Sequence, residues 1–284
     1  MPTFINKATL SYNGKTVDSN TVTGNYTATL AVTKNAVNES YSDGSLITYA
    51  ISLINSGVTP FTNLKITDTL GSYLFNGTDL LYPLTYEEGT LLYYVNGTLQ
   101  PTPVVSATQP LTIENVQVPA GGNALLIYQA QVNEFAPLDA DSTIINTVTV
   151  TGGGLTEPLV ATETINSLDE PFLTITKALC PTEVVENGSI TYTFVIQNNG
   201  NTAAVATDDV VVNDTFNPIL SITSVTLNGE ILTEGVGYTY DESTGEFSTV
   251  AGIITVPAAT YEQQDDGSYV ITPGFATLTV TGTI

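Results

Sequence analysis

The chain has 284 residues, and 28 acidic residues against 5 lysines, with no arginine, give it a formal net charge of -23. A surface this acidic repels nucleic-acid phosphates and anionic lipid head groups, so we expect neither nucleic acid nor a membrane as a partner. The chain has no histidine and one cysteine, which excludes His-based nucleophile pairs and nearly every zinc site; we predict no cofactor, no metal site and no enzyme activity on an external substrate.

The remaining composition is typical of a packed globular protein. Hydrophobic residues make up 42% of the chain and charged residues 12%, and the length suits two domains of ordinary size. No run approaches the roughly 18 consecutive apolar residues of a membrane span, and the first residues lack the apolar segment of a signal peptide. We expect that a signal was removed or that the protein is made and used without one.

Residues 1–24 form a predicted β-hairpin. Residues 4–10 alternate between apolar and polar side chains, Asn13-Gly14 is a turn signal, and residues 16–23 form the returning strand. Short alternating runs rich in Thr, Val, Ile and Tyr follow, broken by Gly and Pro, with no convincing helix. This pattern predicts an all-β protein built from Ig-like β-sandwiches.

An internal repeat divides the rest of the chain into residues 25–166 and residues 167–284. The matching segments are 30–34 with 173–177, 47–49 with 190–192, 55–57 with 198–200, 66–70 with 212–216, 95–97 with 227–229 and 124–132 with 276–284. We therefore predict two tandem Ig-like β-sandwich domains.

The second copy of the repeat lacks its closing strands. The first copy continues after the last shared strand through residues 144–165, and residues 1–24 match this closing segment. By the same connectivity, residues 1–24 should close a domain that precedes residue 28 and belongs to another subunit. The stretch 24–28 spans at most roughly 17 Å, too short to pass the first domain and reach the second. The second domain is thus a predicted acceptor, completed by the N-terminal donor strands of a neighbour in a head-to-tail homopolymer.

Strand parity places three polar residues of each domain among apolar side chains. In the first domain they are Lys34, Asp68 and Asn146. In the second domain the matching set is Lys177, Asp214 and, from the N-terminal hairpin, Asn6. Burying a charged pair gains little over apolar packing, so two such sets require an explanation.

These residue types can form an isopeptide bond. Desolvation favours the uncharged amine, which is a nucleophile, and the protonated carboxyl, which can polarise the asparagine carboxamide. Loss of ammonia would then join Lys34 to Asn146 within the first domain, and Lys177 to Asn6 between subunits. The alternative is a buried Lys-Asp salt bridge with Asn as a hydrogen-bond partner, or lysines that extend to solvent at strand ends. Polymerisation is predicted under either alternative.

A set of motif residues recurs in both copies. In the first copy it comprises Lys34, Gly44-Ser45, Ile47-Thr48-Tyr49, Asn55-Ser56-Gly57 and Thr67-Asp68-Thr69. In the second copy it comprises Lys177, Gly188-Ser189, Tyr192, Asn198, Gly200 and Asp214. This set resembles the conserved Ig-like repeat of bacterial surface proteins, including cell-wall antigens and pilin-like isopeptide-forming domains. The resemblance implies an Ig-like sandwich and a role in stalks, adhesins or surface fibres, and isopeptide bonds are known in related pilins and adhesins.

We therefore predict a structural subunit of an extracellular fibre, either a pilus or a spore- or cell-surface appendage. The subunit is expected to polymerise with itself by donor-strand complementation, with isopeptide bonds as a possible lock. The sequence predicts no particular tip or anchor protein. The alternative is a monomeric surface adhesin or ligand-binding module, whose N-terminal hairpin completes its own second domain.

Overall fold

The computed structural model describes residues 3–25 and 29–284; residues 1, 2 and 26–28 of the predicted hairpin and its connection lie outside them. Strands occupy most of the described residues, and the helical segment among them is a short 3-10 helix, Ala206–Asp208. The prediction of an all-β protein is confirmed. No helix in this part of the chain is long and apolar enough to cross a membrane.

The N-terminal segment folds back on itself as one long hairpin, and each of its two arms contains two short strands. Its strands are β1 (Thr3–Asn6), β2 (Thr9–Tyr12), β3 (Lys15–Asp18) and β4 (Val22–Asn25). β1 pairs with β4 and β2 pairs with β3, and the turn residues Asn13 and Gly14 have φ values of 43° and 72°, as a type I′ turn requires. Apolar side chains of this hairpin are exposed, with Ile5 at 70% and Leu10 at 64%. The strand pairs described for the segment are all internal to it.

The first sandwich consists of two complete sheets. Its strands are β5 (Leu30–Ala36), β6 (Ser40–Tyr41), β7 (Leu46–Asn55), β8 (Phe61–Asp68), β9 (Tyr73–Phe75), β10 (Asp79–Leu81), β11 (Leu84–Tyr86), β12 (Leu92–Val95), β13 (Thr98–Gln100), β14 (Val104–Thr108), β15 (Leu111–Val118), β16 (Asn123–Val132), β17 (Thr143–Gly152) and β18 (Leu159–Ser167). One sheet has the order β13-β12-β16-β7-β5, and the other has the order β14-β15-β8-β17-β18-β6. Alternate residues of β7 and β16 point into one shared apolar core.

The second sandwich repeats the strand order of one sheet, without a counterpart of β11, which pairs with β16 in the first sandwich, and it repeats the other sheet in part. Its strands are β19 (Leu173–Cys180), β20 (Ser189–Asn198), β21 (Asn213–Thr215), β22 (Ser221–Leu227), β23 (Glu230–Ile231), β24 (Tyr238–Asp241), β25 (Glu246–Thr249), β26 (Thr260–Gln263), β27 (Tyr269–Thr272) and β28 (Gly274–Thr283). The order β19-β20-β28-β22-β23 matches the first sheet of the first sandwich, whereas the second sheet has the order β21-β25-β24. A separate apolar core fills this sandwich.

A hairpin that the sequence did not predict connects the two sandwiches. β26 and β27 form this hairpin between β25 and β28. The Tyr269 N–H donates to the Glu134 carbonyl oxygen at 2.7 Å, and Tyr261 and Ile271 pack against the first core. The second sandwich therefore contacts the first through side chains and backbone beyond the linker.

A buried asparagine connects the loops at one end of each sandwich. In the first sandwich, Asn55 Nδ2 donates to the carbonyl oxygens of Thr59 at 2.8 Å and Pro119 at 2.9 Å. Its Oδ1 accepts from the Gly57 N–H at 2.9 Å. Asn198 makes the equivalent three bonds in the second sandwich, which explains why the repeat contains this residue twice.

Asn55→Ala should lower the free energy of unfolding of the first sandwich by about 2–4 kcal/mol, because three hydrogen bonds of a buried side chain are lost. Asn35, an exposed residue of β5, provides the control: Asn35→Ala should change stability by no more than about 0.5 kcal/mol. Urea-induced unfolding of both variants measures the difference. Equal stability of the two variants would contradict this role of Asn55.

Candidate functional site

Three buried polar side chains of different strands meet in the first sandwich. Lys34 lies on β5, Asp68 at the end of β8 and Asn146 on β17, and their exposed fractions are 3%, 0% and 0%. Each lies on the core-facing side of its strand, because its neighbours two residues away are apolar and face the core. Lys34 Nζ donates to Asp68 Oδ2. The structure thus brings together the three residues that the sequence assigned to the first set.

The hydroxyl of Tyr128 is the centre of this cluster. It donates to Asp68 Oδ2 at 2.7 Å, and it accepts from Lys34 Nζ at 3.3 Å and from Asn146 Nδ2 at 3.4 Å. Sequence reasoning did not identify Tyr128 as a site residue. Its inward position on β16, two residues after buried Leu126, was the available signal.

The carboxamide oxygen of Asn146 faces a tight turn after β8. Its Oδ1 accepts from the Gly71 N–H at 3.2 Å and from the Thr69 hydroxyl at 3.3 Å. Gly71 has a φ of 71°, and a Cβ there would lie 2.4 Å from the Ile144 side chain. Glycine at this position therefore allows the backbone N–H to approach the carboxamide. From the sequence we expect Asp68 to polarise this oxygen. In the structure the described partners of Asp68 are instead Lys34, Tyr128 and the Leu70 N–H.

Burial dominates the electrostatics of the cluster. Desolvation lowers the pKa of Lys34 to about 8, and the nearby Asp68 carboxylate only partly opposes this. Desolvation also raises the pKa of Tyr128 well above its ordinary value, with the Asp68 charge acting in the same direction. The Lys34 amine lies 4.7 Å from the centre of the Tyr49 ring. Burial therefore shifts the amine towards its neutral form and keeps the phenol protonated, and these are the forms that amide transfer needs.

The second sandwich contains an open version of the same pair. Lys177 Nζ donates to Asp214 Oδ2, and the side chains are 39% and 18% exposed. The Lys177 amine lies 4.4 Å from the centre of the Tyr192 ring. In the strand registers Val280 pairs with Tyr192 as Tyr128 pairs with Tyr49, so valine occupies the position of the central tyrosine.

Asn6, the third member of the predicted second set, lies on β1 and is exposed. Its described strand partner is Val22 of the same hairpin. The contacts described for Lys177 and Asp214 do not include it. The structure thus brings together two of the three residues within one chain.

No protein-family model and no curated protein matches the chain. Among solved structures, it is similar to the pilus backbone protein RrgB of Streptococcus pneumoniae, with 12% identity and a TM-score of 0.36 over 87% of this chain and 55% of that chain. It is also similar to BcpA, the major pilin subunit of Bacillus cereus, with 14% identity and a TM-score of 0.36 over 96% of this chain and 73% of that one. A family 123 glycoside hydrolase of Clostridium perfringens is similar at 12% identity and a TM-score of 0.30, over 49% of this chain and 27% of the hydrolase. The chain thus spans about half the length of the first of these proteins and about a quarter of the third.

Between about pH 8 and pH 10, Lys34 should contribute a gain of about 2 kcal/mol to the stability of the first sandwich, measured in a chain carrying Asn146→Ala, which cannot form the predicted bond, as the difference from the same chain with Lys34→Met. The pKa of Lys34 is about 8 in the fold, against an ordinary value of 10.5. In this window Lys34 is protonated in the unfolded chain and neutral in the fold, so its contribution to stability rises with pH, whereas buried tyrosines with raised pKa values act in the opposite direction in both variants. Urea-induced unfolding across the window measures the rise, and adding Lys34→Met should remove it. A rise of equal size in the double variant would assign the effect to other groups.

Proposed function

We propose that the chain is a structural subunit of an extracellular fibre, a pilus or a cell- or spore-surface appendage, and that it polymerises head to tail by strand donation. The hairpin β1–β4 of one subunit completes the second sandwich of its neighbour. Lys177, assisted by Asp214, then forms an isopeptide bond with Asn6 of the donor, as Lys34 does with Asn146 within the first sandwich. The proposed extracellular location is supported by the resemblance of both repeats to bacterial surface proteins.

The observation that carries the proposal is the open edge of β21. In the first sandwich β8 pairs with β15 on one side and with β17 on the other. Among the described residues, β21 pairs with β25 alone, so its sheet has three strands where its counterpart has six. An unpaired edge beside an apolar core favours pairing with an added strand.

The missing strands also leave the interior of the second sandwich partly uncovered. Lys34 and Asp68 are almost completely buried, whereas Lys177 and Asp214 are open to solvent. Ile175, two residues before Lys177, is 53% exposed. A docked hairpin would remove this apolar surface from water and enclose the ion pair.

The N-terminal hairpin has the residue pattern of the strands that are missing. Asn6, Ala8 and Leu10 have the same spacing as Asn146, Val148 and Val150. In the first sandwich Val148 pairs with Asp68 and Val150 with Ile66. In the same register, Ala8 pairs with Asp214 and Leu10 with Val212. This register directs Asn6 towards Lys177.

The length of the connection favours a neighbour over the same chain. Asn25 at the end of β4 and Leu30 at the start of β5 are separated by five residue steps, which span at most roughly 18 Å. β7 alone has ten residues, so the first sandwich is roughly 33 Å long at about 3.3 Å per residue. The hairpin therefore reaches the second sandwich of an adjacent subunit more readily than its own. Because donor and acceptor surfaces differ, each addition leaves one of each free, and a linear polymer results.

Leu10→Asp should abolish polymers, whereas Ile5→Asp should leave them intact. Both side chains are exposed in the free hairpin, but Leu10 corresponds to buried Val150 and Ile5 to Ile145, which is 57% exposed. Strand donation would bury the aspartate carboxylate of Leu10→Asp in an apolar core, whereas it would leave the aspartate carboxylate of Ile5→Asp in water. Light scattering and negative-stain electron microscopy of the purified variants provide the measurement.

Equal polymerisation of the two variants would contradict the proposed register. A monodisperse monomer from the unchanged chain, even at high concentration, would contradict strand donation altogether. That result would favour the adhesin or ligand-binding alternative, in which the hairpin completes the second sandwich of its own chain.

The proposed covalent lock predicts a ladder of subunit multiples on a boiled denaturing gel. Asn6→Ala should collapse this ladder while fibres remain visible, because strand pairing does not require the bond. Asn146→Ala is the matched control, and it should keep the ladder. Its measured mass per subunit should no longer show the deficit of about 17 Da from the calculated mass that the internal bond causes by releasing ammonia. A ladder that persists in Asn6→Ala would exclude Asn6 as the acceptor of Lys177.

A further inference from the structure

We propose that Tyr128 is a catalytic residue of the isopeptide site in the first sandwich, where its hydroxyl carries a proton from Asp68 to the amide nitrogen of Asn146 that leaves as ammonia. The Gly71 N–H and the Thr69 hydroxyl stabilise the negative charge that develops on the carboxamide oxygen. This inference rests on the bond chemistry of the proposed function and is independent of polymerisation.

The hydrogen bonds of Tyr128 connect the two ends of the proton path. Its hydroxyl lies 3.3 Å from the attacking nitrogen, Lys34 Nζ, and 3.4 Å from the leaving nitrogen, Asn146 Nδ2. It lies 2.7 Å from Asp68 Oδ2, which also contacts Lys34 Nζ. The Leu70 N–H holds the other carboxylate oxygen at 3.0 Å, so the carboxylate keeps one oxygen directed at the amine and the phenol.

The donors to the carboxamide oxygen are also held in place. The Thr147 N–H donates to Thr69 Oγ1 at 3.0 Å, which occupies an oxygen lone pair and leaves the hydroxyl proton for Asn146 Oδ1. The second donor, the Gly71 N–H, is fixed by the backbone of the turn. Two preorganised donors on a developing oxyanion in a dry site lower the barrier to amide transfer.

The proposed steps balance. Neutral Lys34 Nζ attacks Asn146 Cγ, forming a C–N bond as the C=O electron pair moves to Oδ1. A proton of the attacking nitrogen passes to the Asp68 carboxylate. Tyr128 gives its hydroxyl proton to Asn146 Nδ2, and Asp68 returns the proton that it holds to the Tyr128 oxygen. The C–Nδ2 bond then breaks, the carbonyl re-forms, and one ammonia leaves. Tyr128 and Asp68 end in the protonation states in which they began.

The second sandwich provides a natural contrast. Val280 stands where Tyr128 stands in the first, and it is completely buried. An ion pair of Lys177 and Asp214 is present, but no hydroxyl at this strand position can carry the proton. The internal bond is therefore expected to form faster than the bond between subunits.

The test measures the rate of the internal bond in the full chain. Proteins carrying Asn6→Ala, which prevents the bond between subunits, are synthesised in a cell-free system, and samples are quenched in acidic urea for intact-mass analysis. Loss of about 17 Da reports bond formation. Tyr128→Phe keeps the ring but removes the hydroxyl and should slow the loss about 100-fold. Tyr93→Phe is the matched control: Tyr93 is a buried tyrosine of the same sandwich, its hydroxyl donates to the Gln117 carbonyl oxygen at 2.7 Å outside the Lys34 cluster, and its loss should leave the rate unchanged.

A second pair of chains, Asn146→Ala with and without Tyr128→Phe, distinguishes an effect on folding from an effect on the rate of bond formation. In the unbonded Asn146→Ala background, Tyr128→Phe should lower the thermal midpoint by only a few degrees, so that the sandwich is folded at the temperature of the rate measurement. Equal rates for Tyr128→Phe and the parent would overturn the role of Tyr128 and leave the isopeptide bond standing. No mass loss in the parent would overturn the bond itself, and the role of Tyr128 with it. Loss of the folded state in the unbonded background would make Tyr128 a structural residue and also overturn the proposal.

Discussion

The pairing of β8 with β17 is the interaction on which the first sandwich depends. It closes the sheet beside Asp68, covers Lys34 and brings Asn146 into the interior. At the matching place in the second sandwich, β21 has no such neighbour among the described strands. The exposure of Lys177 and the three-stranded sheet follow from this difference. In the proposed assembly, the exposed N-terminal hairpin of a neighbouring subunit, which has the residue pattern of the missing strands, occupies this place.

Burying the Lys34 and Asp68 pair costs desolvation energy, and good packing alone gives no reason to bury charged groups there. A buried ion pair recovers its desolvation energy only with good geometry and additional hydrogen bonds, and an apolar substitute is often as stable. Tyr128 and the Leu70 N–H provide the additional bonds here. In the proposed chemistry the same desolvation increases the fraction of neutral, reactive amine, and the bond removes the lysine charge permanently. Before the reaction the buried Lys34 amine costs desolvation energy, and after the reaction it is an uncharged amide nitrogen in a cross-link.

Strand parity and self-comparison predicted a large part of this organisation. Lys34, Asp68 and Asn146 could be recognised because a polar residue in an inward-facing stripe stands out in a period-2 pattern. Tyr128 could not, since tyrosine is ordinary in a core and its hydroxyl gains a role only through partners on three other strands. The contacts of Gly71 with Asn146 were equally hidden, because they depend on the path of a turn. The β26–β27 hairpin has no counterpart in the first repeat, so self-comparison could not reveal it.

This hairpin has a mechanical consequence for any assembly of the chain. In the first sandwich the polypeptide passes from Pro119 into β16 within four residues, whereas after Pro257 the second sandwich extends β26 and β27 before β28 begins. The extension braces the junction within a subunit, and the corresponding end of the first sandwich has only a short loop. In a filament of such subunits, stiff joints within subunits would alternate with more flexible joints between subunits. Under load the filament would bend once per subunit, at the donated strands. A covalent cross-link at this place would strengthen the weakest joint.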